Sequence, residues 1–223
     1  MADAFPQLNG TRVSKAIVTI PYSGIWSLDV SLDQQVTVTG GSAAFAIGAL
    51  AMTGTIFRAG DFIGTGVFRI VGGAGGWQQY LPAQQFRGSG KSGLTISAVL
   101  NATAKAVGET VKIDTDASIG TTYIRVVGPA ARTLNSLVGP QWWMGFDGVT
   151  HVGNRDTPII TSEFDVLPQG TNLGIGRIVI ATESPEDWVP GALFSSPTLS
   201  QRSVRSVAHY VDPNKIRTVV WTQ

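Results

Sequence analysis

AIVTIPYSGIWSLDVS, residues 16–31, decides the fold. Residues 16–20 are apolar and rich in β-branched side chains, and Pro21 ends the run. After Gly24 the pattern sharpens, as Trp26, Leu28 and Val30 alternate with Ser27, Asp29 and Ser31. Alternation with a period of two puts one set of side chains on each face of an extended chain, so both runs are predicted strands. The texture continues outward. Residues 35–39 (QVTVT) alternate and stop at Gly40 and Gly41, and residues 52–57 and 66–71 (GVFRIV) extend the series. Residues 72–76 (GGAGG) break it, because such small residues cannot fill a strand interior and suit a bend or a close backbone approach.

Beyond residue 87 the texture changes. Residues 88–93 (GSGKSG) form a polar loop, and residues 95–107 (TISAVLNATAKAV) read as a helix. Ile96, Val99, Leu100, Thr103 and Val107 recur at spacings of three and four, Thr95 is placed to cap the start, and Gly108 stands at the C-terminal turn. A second helix fits residues 129–138, with Pro129 in its first turn, Ala130, Leu134, Leu137 and Val138 as its stripe, and Gly139-Pro140 as its stop. Residues 122–127 between the helices read as a strand. Strands return at 159–164, 176–181, 203–211 and 216–222, with turns at Pro190-Gly191 and across residues 212–215. The predicted fold is mainly β: a β-rich segment over residues 1–86, a small α+β insert over 87–155, and a C-terminal β segment over 156–223. No repeat of fixed period is visible, although the two β-rich ends allow structural duplicates without sequence identity.

The chain of 223 residues is long enough to bury a core without cross-links, and its lack of cysteine excludes disulfides and thiolate metal sites. Only 14% of residues are charged, against about 25% in typical soluble domains. A surface so poor in charge suggests cover by other chains. The formal net charge of +1 gives nucleic acid no bulk attraction. Residues 1–12 lack a basic or apolar signal-peptide pattern, and the most apolar run, residues 43–52, is too short for a bilayer. The expectation is a protein made in a cytoplasm that stays soluble or joins a particle.

In WWMGFDGVTHVG, residues 142–153, Asp147-Gly148 signals a two-residue hairpin turn. That turn sets Met144 opposite His151 and Trp143 opposite Val152, so His151 shares a face with Trp142, Met144 and Phe146. A lone imidazole there reads as packed or at an edge, because a base or ligand needs convergent partners. His209, in an alternating strand, reads as a sheet-face residue. GSGKS lacks the first glycine of a phosphate loop, since position 85 is Gln85. IDTDASIG departs from a calcium loop at Ile119 and Arg125. Gly174-Ile175-Gly176 lacks the third glycine of a dinucleotide site, and ESPED, residues 183–187, reads as a surface loop. No catalytic, metal or cofactor residues are assigned. The contact candidates are tryptophans: Trp142, Trp143 and Trp221 on alternating strands that favour burial or a subunit interface, and Trp77 and Trp188 as the better candidates for an exposed contact surface.

The order of elements, with LPAQQFRGSGKSGLTISAVLNATAKAVGE, VVGPAARTLNSLVG, the hairpin WWMGFDGVTHVG and the later WVPGALFSSP, resembles the baseplate or tail-tip hub proteins of tailed phages, related to hubs of contractile injection systems. The Asp147-Gly148 turn and the helix ending at Gly108 carry the resemblance best. It implies two tube-like β-barrel domains per chain, an N-terminal one over residues 1–86 and a second completed by the C-terminal segment 156–223, and a homotrimer forming a pseudo-six-fold ring, with a tail-tube or distal tail protein on one side and a central spike protein on the other. It implies a structural virion protein at the tail tip, not an enzyme, with no cofactor, no membrane contact, and DNA only passing through the lumen. The chain is short for that family, so the spike-side attachments of longer hubs are not expected in full. Two other classes stand beside it: a carbohydrate-binding β-sandwich module using Trp77 and Trp188, and a hydrolase using a histidine with Glu183 and Asp187.

Overall fold

A computed structural model describes residues 5–32, 34, 40–62, 64–88, 93–197, 199–212 and 215–222. The expected strand at 35–39, most of the GSGKSG loop and the centre of the 212–215 turn lie outside the described residues. The first part holds β1 (Gln7–Leu8), β2 (Thr11–Pro21), β3 (Ser27–Leu32), β4 (Gly41–Ile47), β5 (Leu50–Phe62) and β6 (Thr65–Gly72). The middle holds β7 (Tyr80–Leu81), β8 (Gln84–Arg87), α1 (Ile96–Ala106), β9 (Val111–Ile113), β10 (Thr122–Arg125), β11 (Gly128–Pro129), α2 (Ala131–Val138), β12 (Trp142–Met144) and β13 (Thr150–Val152). The last part holds β14 (Phe164–Asn172), β15 (Arg177–Thr182), β16 (Leu193–Ser196), β17 (Leu199–Asp212) and β18 (Lys215–Thr222). The chain is mainly β with two helices, as alternation and spacing predicted, and it holds a barrel, as the resemblance implied.

Strands β1, β4, β5, β6, β3 and β2 close on themselves, because β1 pairs with both β2 and β4. Alternation sends Val13, Val18, Leu28, Val30, Phe45, Met52 and Phe68 inward, and all are buried. β2 is longer than its hairpin partner β3 and serves two sheets. Thr11 and Arg12 pair with β1, and beyond them Ala16 to Pro21 pair antiparallel with Val211 to Ser206 of β17. The sheet thus runs on from β2 through β17, β18 and β15 to β14.

The two parts repeat one another in register. β2 pairs Ala16 with Val30 and Ile17 with Asp29 of β3, while β14 pairs Val166 with Ile180 and Leu167 with Val179 of β15. β3 lies on β6 as Leu28 on Ile70 and Val30 on Phe68, and β15 lies on β18 as Ile178 on Val220 and Ile180 on Thr218. The β5–β6 hairpin closes at Phe62 and Thr65, and β17–β18 closes at Asp212 and Lys215. Each counterpart stands 150 positions further along the chain. The β4–β5 hairpin likewise corresponds to β16–β17, Ile47 facing Leu50 as Ser196 faces Leu199. The order β5-β6-β3-β2 is therefore followed by β17-β18-β15-β14.

The segment between the repeats packs into the same core. Leu100, Ala104, Val107, Leu134, Trp142, Met144 and Val152 join the cluster that holds Trp26 and Trp77. α1 forms as predicted: Thr95 Oγ1 accepts from Ala98 N–H at 3.3 Å, Val99, Leu100 and Thr103 are buried, and Gly108 follows with φ +72°. α2 starts at Ala131, two residues later than predicted, because Pro129 is used in β11 opposite Tyr80. Residues 159–163 are not a strand beyond a single bridge at Ile159, and β14 begins at Phe164 instead. Pro168 within β14 and the short, glycine-bounded β4 had hidden both strands from pattern reading.

Candidate assembly surfaces

Glycine sets how closely the middle segment docks on the first barrel. A Cβ on Gly72 would overlap Met144 and Trp26, and one on Gly76 would overlap the Val107 carbonyl. The bend expected at residues 72–76 is therefore a close backbone approach. Glu109 holds it, its carboxylate accepting Gly76 N–H at 2.6 Å and Ala74 N–H at 3.2 Å. Beside it the β12–β13 hairpin crosses the barrel end: Gly24 N–H donates to Trp142 O at 3.1 Å, Met144 N–H to Gly24 O at 2.9 Å, and Thr53 N–H to Phe146 O at 2.7 Å.

That hairpin corrects the expected register by one residue. Trp142 faces Val152, Trp143 faces His151 and Met144 faces Thr150. Gly145 N–H donates to Val149 O at 2.8 Å, so the loop has three residues, Phe146, Asp147 and Gly148, rather than two. A tight turn followed by a left-handed residue, here Gly148 at φ +80°, is the common three-residue solution. A one-residue slip exchanges faces. Trp142, Met144, Thr150 and Val152 point inward, while Trp143 and His151 stack on the half-buried outer face with ring centroids 5.4 Å apart. Asp147 lies 3.7 Å from the imidazole. Arg155 also sits over the Trp143 ring, with Cζ 4.9 Å from its centre, and Arg155 Nη1 donates to Pro190 O at 3.0 Å. Burial pushes the Arg155 guanidinium down to about 10.

The tryptophans divide differently from expectation. Trp77 and Trp188, expected at a contact surface, are each 0% exposed. Trp77 Nε1 donates to Thr150 Oγ1 at 2.7 Å, and Trp188 packs edge-on against Phe164 and Phe194. Each fully buried indole removes roughly 200 Å² from water, worth up to about 5 kcal/mol. That outweighs the ~1–3 kcal/mol cost of the Trp188 Nε1, which has no partner, so these rings serve the core. Trp142 is buried too, with Nε1 donating to Asn135 Oδ1 at 2.9 Å. Trp143 and Trp221 remain half-buried and reach the surface.

The surfaces that sequence reading missed are sheet edges. Past Ile56, β5 pairs only with β6 among the described residues, and residues 57–61 are exposed, Phe57 at 42%. At the other end of the sheet, β14 pairs only with β15 among the described residues. In the repeat, residues 58–61 of β5 correspond to residues 208–211 of β17, which β2 covers within the chain, and β14 corresponds to β2. Among the described residues the molecule thus carries one filled joint and the two unfilled halves of a second. Pro168, in the place of Val18, removes a donor from the β14 edge and confines its ladder toward residues 164–167.

A closed barrel joined edge to edge with a second, register-matched unit, with a two-helix segment between them, is a fold shared with solved phage tail and type VI secretion proteins. In particular, the chain is similar to the 43 kDa tail protein of prophage MuSo2 from Shewanella oneidensis (TM-score 0.68, 10% identity, 98% of this chain and 95% of that chain). It is also similar to a tail protein from Neisseria meningitidis MC58 (TM-score 0.66, 13% identity, 98% and 95%). A third likeness is to the E. coli c3393 protein (TM-score 0.69, 6% identity, 97% and 75%). That protein is a component of the type VI secretion system with structural similarity to the T4 tail proteins gp27 and gp5. No family model and no curated protein matches the sequence.

Proposed function

We propose that the chain is a structural subunit of a tail-tip or baseplate hub, three copies of which close a pseudo-six-fold ring joining a tail tube to a central spike. One observation carries this reading: the chain is two register-matched units lying side by side in one sheet, with the β5 edge at one end and the β14 edge at the other uncovered among the described residues. A subunit with complementary ends associates head to tail, and such contacts close into a ring when the rotation permits. Three chains supply six equal units, which suits a six-fold tube on one side and a three-fold spike on the other. Residues 1–86 and 156–223 are then the ring-forming units and 87–155 the insert between them.

The partners in this reading are sister copies, a tail-tube or distal tail protein and the spike, and its place is the virion tail tip. It involves no catalytic step and no cofactor, and DNA passes through a near-neutral lumen without being held. Trp143 and Trp221 are the tryptophans placed for subunit contact. The carbohydrate-module alternative relied on Trp77 and Trp188, which are closed off inside the core.

Native mass spectrometry and sedimentation of the purified chain test the proposal. Three copies per particle are expected, and Phe57→Asp on the open β5 edge releases monomers without changing the melting temperature by more than about 3 °C. A monomer at every concentration up to about 100 μM, where contacts of this size associate, rejects the ring.

A further inference from the structure

The two repeats differ at one place. In the first, β1 fills the gap between β2 and β4, with Leu8 facing Thr11 on one side and Phe45 on the other and buried between them. In the second, the corresponding segment, residues 157–160, meets β16 only at Leu193 and in a parallel sense. Leu193 N–H donates to Pro158 O and Ile160 N–H to Leu193 O, both at 2.8 Å. Past that point no strand among the described residues lies between β16 and the start of β14. A cleft of about 890 Å³ lies there instead, walled by residues 161–165, 181–184, 195–197 and 215–217.

The side chains around it agree with the backbone. Where the first repeat plugs its barrel with Leu32 and Ile47, each 2% exposed, the second has Thr182 and Ser196. Both are smaller and carry a hydroxyl, so the plug is gone and the wall is polar. Ser162 Oγ, on the β14 side, is buried without a hydrogen-bond partner. A gap of this shape between two strands is a template for strand addition, in which main-chain bonds give affinity and alternate side chains give specificity.

We infer that this cleft receives an extended segment of another polypeptide, added as a strand between β16 and the start of β14. The twin gap shows the form of the occupant. Pro6 and Leu8 turn inward and Gln7 faces out, so the incoming segment carries an aliphatic side chain into the barrel and a polar neighbour on its outer face. The occupant is a different protein. Residues 157–160 of this chain are tied to Leu193, and the N-terminal strand of a sister copy is already used in its own first barrel. The inference does not depend on ring formation.

A fluorescein-labelled peptide FPQLNG, the sequence of residues 5–10, is the probe. Fluorescence anisotropy on the full chain is expected to show saturable binding of one peptide per chain, with slowed amide exchange at residues 194–196. The double substitution Thr182→Trp with Ser196→Trp, bulkier than the Leu32 and Ile47 beside which β1 is seated, plugs the cleft itself and weakens binding at least about tenfold, with circular dichroism checking that the fold is kept. Ser162→Val, which keeps the cavity open, provides a second folded variant and weakens binding less. The inference is overturned by the absence of saturable binding up to about 1 mM peptide, by equal affinity in the plugged variant, or by protection at residues 44–46 instead. Sedimentation of the same samples separates the two proposals. A trimer without peptide binding removes the cleft alone, and a monomer that binds removes the ring alone.

Discussion

His209 shows what a single buried group does to the whole chain. It stands in β17 with no exposure, its Nδ1 sharing a 3.0 Å hydrogen bond with Thr218 Oγ1, while Nε2 has no partner. Burial pushes its pKa down from 6.5 to about 4, so the folded chain holds it neutral. As pH falls through about 6.5 the unfolded chain takes up a proton that the folded chain refuses until about 4. The stabilisation is therefore full above 6.5 and declines toward 4, by on the order of 3 kcal/mol. Urea denaturation at a series of pH values across that window measures the decline. His209→Leu is expected to flatten it, and an unchanged slope in that variant assigns the acid sensitivity elsewhere. The sequence placed His209 on a sheet face. It did not show which face, because that is set by the register of β17 against both β2 and β18.

At the scale of elements, local signals were legible where local forces decide. The Thr95 cap, the buried stripe of α1 and Gly108 were all read from residue type and spacing, since each acts within one or two turns. Thr95→Ala is expected to cost about 1 kcal/mol, read as a lower urea midpoint with an unchanged slope. A second cap was not legible. Asp116 accepts from Ser97 N–H at 2.9 Å and Ser97 Oγ at 2.5 Å, and these bonds hold its carboxyl below the usual range. It reaches the helix start from the β9–β10 connection, so the failed calcium-loop motif proved to be a helix cap. The β12–β13 hairpin failed in another way. Asp-Gly suits more than one loop length, and packing on Trp26, whose Nε1 donates to Gly145 O at 3.0 Å, accompanies the longer one.

On the whole-molecule scale the repeat matters most, and it is carried by register rather than by residues. Phe68 corresponds to Thr218, and Leu32 to Thr182, so no side-chain pattern announces the duplication. Backbone pairing tolerates such exchanges because ladder hydrogen bonds do not depend on the side chain. The same fact bears on assembly. A ring joined through sheet edges and apolar contacts, in a chain with a formal net charge of +1, has little for salt to screen. Sedimentation between about 0.05 and 0.5 M NaCl, where the Debye length shrinks several-fold, is expected to give the same mass throughout. Dissociation at the higher salt points to charge-pair contacts and away from edge pairing.

The amino-acid sequence by itself determined that this is a strand-rich chain with two short helices in its middle, because alternation, caps and glycine stops act between near neighbours. Tertiary structure alone decided that Trp77 and Trp188 turn inward, that β2 and β17 join two matching units into one sheet, and that the second unit keeps an open cleft where the first holds β1. The β2–β17 joint rests on pairings between residues nearly two hundred positions apart, and the others on contacts well beyond any local motif. Side-chain period fixes which residues share a face, but the partner strand and its register follow from how the whole chain closes.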